Sequence, residues 1–143
     1  MSNPPLRVKR LRPSARLPQR ATPNSSGLDL YADLEAEGGA AQLGLQPRLI
    51  PTGIAIAVPR GYEVQLRPRS GLSRRGVVVA FGTVDADYRG EVFVNMSAPG
   101  AENAHFAVKH GDRIAQLVVA PVTLSAVEEV VELDDTTRGA GGF

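Results

Sequence analysis

The chain contains no cysteine. That excludes a disulfide framework, a thiolate metal site and a cysteine nucleophile. It is compatible with a reducing compartment without requiring one. Tryptophan is also absent, and with four Phe and three Tyr the core must rest on Val, Leu, Ile and Ala. His105 and His110 are the sole imidazoles and lack metal-ligand spacing, so a His-held zinc has no basis. No nucleophile elbow is present, which leaves a Ser-His-Asp hydrolase unsupported. No apolar run approaches the length of a membrane span. The start, Met1-Ser2-Asn3-Pro4-Pro5, leads into basic residues without the apolar stretch of a signal peptide. The expectation is a cytoplasmic protein with no membrane partner. A dominant charge is missing too: 16 Lys and Arg against 15 Asp and Glu give a net +1. No global field recruits nucleic acid, and no stable nucleic-acid binding is expected.

What is present suits one folded domain. The length is 143 residues, with 43% apolar and 22% charged residues. A chain of this size can bury enough surface to fold without a staple. There is no repeat and no convincing amphipathic helix. Short apolar stretches separated by Gly and Pro predict an all-β fold, a jelly-roll-like barrel of short strands with at most one short helix. Strands are expected over residues 6–11, 27–32, 53–58, 62–67, 77–80, 91–96, 106–109, 113–121 and 127–133. Along residues 53–58, alternation puts Ile54, Ile56 and Val58 on one face, and along 62–67 it sets Val64 and Leu66 against Glu63, Gln65 and Arg67. The short helix is expected near residues 70–75. Residues 35–46 are rich in Gly and Ala and are expected to loop out. Residues 1–133 then form the domain, and the Gly-rich 134–143 a mobile tail.

Four segments carry groups suited to chemistry. In Arg67-Pro68-Arg69-Ser70-Gly71-Leu72 a strand ends and turns, and Arg69, the Ser70 hydroxyl and backbone N–H groups can face one anion; an ordinary turn with an exposed Arg has the same composition. In Gly82-Thr83-Val84-Asp85-Ala86-Asp87-Tyr88-Arg89-Gly90, read as a tight hairpin, one acid can act as a base while the other pairs with Arg89. Tyr88 there offers a flat face to a sugar or base. A well-made Asp/Gly turn explains the same residues. In Gly111-Asp112-Arg113-Ile114-Ala115-Gln116-Leu117, Gln116 interrupts an apolar strand, so its amide needs a partner, either internal or a phosphate or water. Asp112 reads as structural. In Arg138-Gly139-Ala140-Gly141-Gly142-Phe143, Gly-rich backbone can curl around phosphate, or simply be flexible.

With Ser26-Gly27-Leu28-Asp29-Leu30-Tyr31-Ala32, these segments stand in the order of a known pattern. The chain resembles the five-motif pattern of the trimeric dUTPases from about Gly27 to its last residue. The resemblance implies a β jelly roll and a homotrimer whose active sites are shared between subunits. It implies hydrolysis of dUTP to dUMP and pyrophosphate with Mg²⁺ on the triphosphate, limiting uracil in DNA and supplying dUMP for dTMP synthesis. By the same resemblance, Asp85 activates the attacking water and binds the sugar 3′-hydroxyl. Tyr88 packs beneath the deoxyribose and leaves no room for a 2′-hydroxyl. Arg69, Ser70, Gly71 and Gln116 bind phosphates, and Gln116 also holds the water. Asp29 reaches the metal through water, not as a direct ligand. The backbone around Val79, Gly82, Thr83 and Val84 reads the uracil edge, and Phe93 lines the pocket. Arg138 reaches the γ-phosphate and Phe143 stacks on the base.

The pattern is departed from twice. Val79 stands where many bacterial members carry Asn, which leaves base selection to backbone groups. The family's tails also continue beyond the Phe with Gly, Ser, Thr and Gly, whereas this sequence stops at Phe143, so weak tail closure is expected. Two rival functions share the fold: deamination of dCTP, for which no Glu is suitably placed, and non-catalytic nucleotide sensing, against which Asp85, Tyr88 and Gln116 argue.

Overall fold

The alternation that buries Val64 and Leu66 and leaves Glu63, Gln65 and Arg67 nearer the surface recurs over residues 40–43, 91–97 and 106–109. In the computed structural model, which describes residues 2–143, the chain resolves into ten strands and one short helix. These are β1 (Arg7–Arg10), β2 (Leu28–Tyr31), β3 (Ala40–Leu43), β4 (Arg48–Ala57), β5 (Tyr62–Arg67), α1 (Ser70–Arg74), β6 (Val78–Val79), β7 (Gly82–Val84), β8 (Glu91–Ser97), β9 (Phe106–Lys109) and β10 (Arg113–Pro121). One four-stranded sheet has the order β1-β4-β8-β6 and a second the order β2-β10-β5-β7; β3 and β9 form a separate pair. All pairings are antiparallel. The all-β, jelly-roll-like expectation holds.

The core lies between the two larger sheets. Ile50, Ile54, Ile56, Val92, Val94 and Met96 come from one, and Leu30, Val64, Leu66, Ile114 and Leu117 from the other; all are buried. Complete burial of such a side chain is worth about 1.5–3 kcal/mol. This aliphatic interior, with Tyr31 as its one buried aromatic, is what the aromatic-poor composition required.

Four expectations need correction. Residues 35–46 do not simply loop out: a 3₁₀ turn at Glu35–Glu37 is followed by β3, which pairs with β9 through Ala41↔Val108 and Leu43↔Phe106. Ala41 and Leu43 are buried there, and the small Ala residues concealed the alternation. The strand expected at 53–58 starts at Arg48, because Pro51 does not end it. Its register with β8 instead breaks between Pro51 and Ala55, with Gly53 in the left-handed region at φ 71°. A bulge tolerates both the missing Pro donor and the positive φ. Residues 127–133 form no strand; Val127 and Val131 are fully exposed. A β-branched run favours extension, but a strand exists only when another backbone meets its hydrogen-bonding groups, and nothing among the described residues does.

The fourth correction bears on the site. Gly82–Gly90 is not a hairpin. β7 pairs with β5, while β8 pairs with β4 and β6, so the segment carries the chain from one sheet to the other. Its turn is nevertheless tight, with Tyr88 N–H donating to the Asp85 carbonyl at 3.2 Å.

Candidate active site

β7 is the edge of its sheet. One side pairs with β5 through Val64↔Val84, Gln65↔Thr83 and Leu66↔Gly82, and the other has no strand partner among the described residues. Unpaired edge groups are ready to bond an extended or planar polar partner. Beside this edge, at the seam between the two sheets, lies a cavity of about 330 Å³. Gly82, Thr83, Val84, Asp85, Tyr88 and Phe93 all line it, so the structure brings together six of the residues singled out in the sequence. The volume falls at the lower end of the range for small-ligand pockets.

Asp85 follows β7 directly and is exposed. No ion pair among the described residues involves it. Arg89 does not pair with a neighbouring Asp as expected. Its Nη1 donates to the carbonyls of Ala86 and Tyr88 at 2.7 and 3.0 Å, which closes the turn from outside. Val79 is elsewhere: its side chain is buried in the core and its strand pairs with Met96 of β8. Leu49 and Glu91 also line the cavity and carry no local signal of it, because they come from the other sheet.

The phosphate-binding candidates form a second group. In register, Asp29 of β2, Gln116 of β10 and Arg67 of β5 lie in one row across the sheet. Gln116 Nε2 donates to the Pro68 carbonyl at 2.9 Å, so the polar residue in the apolar strand is satisfied internally on one side. Gly27 is buried against it, and a Cβ there would run into the Gln116 side chain. Arg69 Nε lies 3.2 Å from Asp29 Oδ1, and Arg113 Nη1 lies 3.8 Å from Oδ2. Arg69 caps α1 in an extended conformation, and Ser70 and Gly71 form the first turn, whose N–H groups have no partner within the helix. Asp112, read as structural, accepts from Lys109 N–H at 2.9 Å and closes the turn before β10.

Asp85 and Arg69 do not meet within one chain. Val84 pairs with Val64, which places Asp85 level with Glu63 at the start of β5, whereas Arg69 follows the end of that strand. Six residues of extended backbone separate the levels, about 20 Å. Arg138 and Phe143 join neither group: both are exposed, and Arg138 Nε donates to the Gly141 carbonyl at 2.6 Å.

Three perturbed charges, Arg12, Asp33 and Glu91, stand together, the last at the cavity wall, and the sequence did not single them out. Arg12 pairs with Asp33 and Glu91. Hydrogen bonds to Glu91 and Asp33 raise its pKa further above the usual Arg value. Burial pushes the Asp33 carboxyl up, but the Ser14 hydroxyl and the Arg12 guanidinium outweigh it, and the pKa ends below the usual value. Glu91 is lowered chiefly by its bonds to Arg12, against burial, with help from Gly53 N–H. Among the described residues no cluster of three metal-ligating side chains occurs. Asp29 is a lone carboxylate flanked by two arginines and does not by itself make a protein-built cage for a metal.

A family model described as dUTPase matches residues 13–143. A deoxyuridine 5′-triphosphate nucleotidohydrolase of Maricaulis maris (strain MCS10) is 49% identical over 148 residues, covering 100% of this chain and 96% of that protein. One from Syntrophotalea carbinolica is 48% identical over 141 residues, covering 96% and 93%. Among solved structures, the dUTPase of Staphylococcus bacteriophage 80alpha with dUPNHPP is similar at a TM-score of 0.87 and 26% identity, over 99% of this chain and 97% of that one. A variant dUTPase from phage phi11 of S. aureus, described as revealing the coordination of a structural Mg(II) ion, shares the fold at a TM-score of 0.80 and 24% identity, over 90% and 98%.

Proposed function

We propose that this chain, which belongs to the dUTPase family, hydrolyses dUTP to dUMP and pyrophosphate, limiting uracil in DNA and supplying dUMP for dTMP synthesis. The observation that carries the reading is the seam cavity, where a free β-edge, an aromatic face and an unpaired carboxylate converge. The backbone of Gly82, Thr83 and Val84 bonds the polar edge of uracil, with Phe93 at its side. Val79 contributes through its backbone alone, since its side chain faces the core. Tyr88 lies beneath the deoxyribose and excludes a 2′-hydroxyl. Asp85 takes the proton of the attacking water and accepts from the 3′-hydroxyl; a carboxylate within hydrogen-bond reach of water is suited to this.

Arg69, Ser70 and Gly71 bind the phosphates, since a guanidinium and free N–H groups both favour an anion. Gln116 holds the phosphate or the water with the amide positions that Pro68 leaves open. Mg²⁺ on the triphosphate would supply charge neutralisation for the leaving pyrophosphate, with Asp29 bonded to its water shell. Arg138 reaches the γ-phosphate and Phe143 stacks on the base when residues 134–143 fold over the site and exclude water.

The separation of about 20 Å between Asp85 and Arg69 supports an assembly in which one copy supplies the carboxylate and another the phosphate contacts. A homotrimer fits this reading, as a closed ring uses each half-site once. The exposed Leu124, Val127, Val131 and Leu133 give a further reason for contact between copies. The test is an assay of the purified protein against dUTP, dCTP, dTTP and UTP with Mg²⁺, following pyrophosphate and ammonia. Pyrophosphate from dUTP alone is expected. Ammonia from dCTP would replace hydrolysis with deamination.

A further inference from the structure

Tyr88 is exposed, yet the hydroxyl end of its ring is held from two sides. Its hydroxyl donates to the Glu91 carbonyl at 2.8 Å. Gly90 lies beneath the phenol, and a Cβ there would overlap it. The strand end that receives this bond is itself anchored. Arg12 meets the Glu91 carboxylate through two parallel bonds, Nη1 to Oε1 and Nη2 to Oε2, each 2.8 Å. Its Nε donates to Asp33 Oδ2, also at 2.8 Å. Gly53 N–H donates to Glu91 Oε2 at 3.2 Å, and Asp33 N–H to the Pro51 carbonyl at 2.8 Å. The Asp33 side chain is 2% exposed, so its end of the chain of contacts is fixed in the interior.

One guanidinium therefore joins the segment after β1 to the segment after β2 and to the first residue of β8, whose carboxylate also holds the bulge of β4. A bidentate Arg–carboxylate pair is directional where a lysine would be a point charge. An aromatic side chain on an exposed turn, left to itself, samples several rotamers. A surface that must reject one hydroxyl has to be placed to within a fraction of an ångström.

We infer that the Arg12–Glu91 pair, backed by Asp33, positions Tyr88 and so sets the discrimination between deoxyribonucleotide and ribonucleotide. Neither residue touches substrate in this scheme; both act through Tyr88. The inference rests on the reading of Tyr88 as the face beneath the sugar.

The experiment measures kcat/KM for dUTP and for UTP, and thermal melting, in the full-length protein and five variants. Glu91→Gln and Arg12→Met are expected to lower the dUTP:UTP ratio by on the order of tenfold, because a small misplacement of a positioning group is costly. Arg12→Lys restores part of it. Leu43→Ala, a core truncation in β3, supplies a loss of stability without touching this network and keeps the parent ratio. Tyr88→Ala collapses the ratio. An unchanged ratio in folded Glu91→Gln, with a collapsed one in Tyr88→Ala, overturns the inference and leaves the sugar-filter reading standing. An equal shift in Leu43→Ala overturns it as well, since the effect would then be general loosening. An unchanged ratio in Tyr88→Ala removes the sugar-filter reading and the inference with it.

Discussion

Mixing two inactive variants tests whether the site is divided between copies. Asp85→Asn removes the proposed base, and Arg69→Met removes a phosphate contact at the other end of β5. A general base acts at about 3 Å, or one water further, and the phosphate contacts must bond the same triphosphate. Both cannot serve one substrate across about 20 Å of a single strand. Equal amounts of the two variants are unfolded together in denaturant and refolded. In any closed ring, half of the sites then draw an intact Asp85, and half of those meet an intact Arg69. Activity should return to about a quarter of that of the parent protein refolded alongside. Each variant refolded alone stays at its own low level. The assay is pyrophosphate release from dUTP, with light scattering to show that mixed assemblies have formed. Recovery no greater than the mean of the two variants, in confirmed mixed assemblies, would refute the divided site and require base and phosphate contacts to meet within one chain.

Asp85→Asn is expected to keep binding of a non-hydrolysable dUTP analogue while losing roughly 10²–10⁴ in rate, the usual contribution of a general base; pyrophosphate release at the parent rate would remove Asp85 from that role. Gly27→Ala forces Gln116 out of its place between β2 and Pro68. It should lower kcat/KM while far-ultraviolet circular dichroism stays close to the parent's, and unaltered kinetics would show that Gln116 placement is unimportant. Stability should depend on pH through Asp33 and Glu91. Both carboxyls titrate below their usual values when folded. The unfolded chain therefore takes up protons first as pH falls, and the stabilisation is complete above the ordinary carboxylate range, near pH 4 to 5. It is lost as pH drops through the folded values. The melting temperature should be flat from about pH 7 to 5 and fall below about pH 4. Arg12→Met should flatten that fall; an identical acid limb in parent and variant would mean that other groups govern it.

The motifs were legible because their chemistry is local. Glycines, an Arg-Ser pair and an Asp-Tyr turn sit within a few residues of one another, and the order of five such segments was enough to identify the family. The strands 62–67 and 106–109 were legible because large apolar residues alternate there with small or polar ones, and 113–121 because it is an apolar run broken only by Gln116. β3 was not, since Ala contributes too little to the alternation, and residues 127–133 misled because extension was written in their side chains but a pairing partner was not.

Sequence by itself determined which groups are available: no thiol, two imidazoles, one aspartate-tyrosine turn, and an aliphatic core of alternating Val, Leu and Ile. Tertiary structure decided where those groups stand. It took the Asp85 turn out of a hairpin and laid it across the seam between two sheets, and it set Arg69 at the far end of β5. It also brought Arg12 to Glu91 across 79 positions of sequence. Local patterning fixes period and turns because those depend on neighbours along the chain. The meeting of distant charges depends on how sheets stack and where a bulge bends a strand, and no short window of residues encodes that.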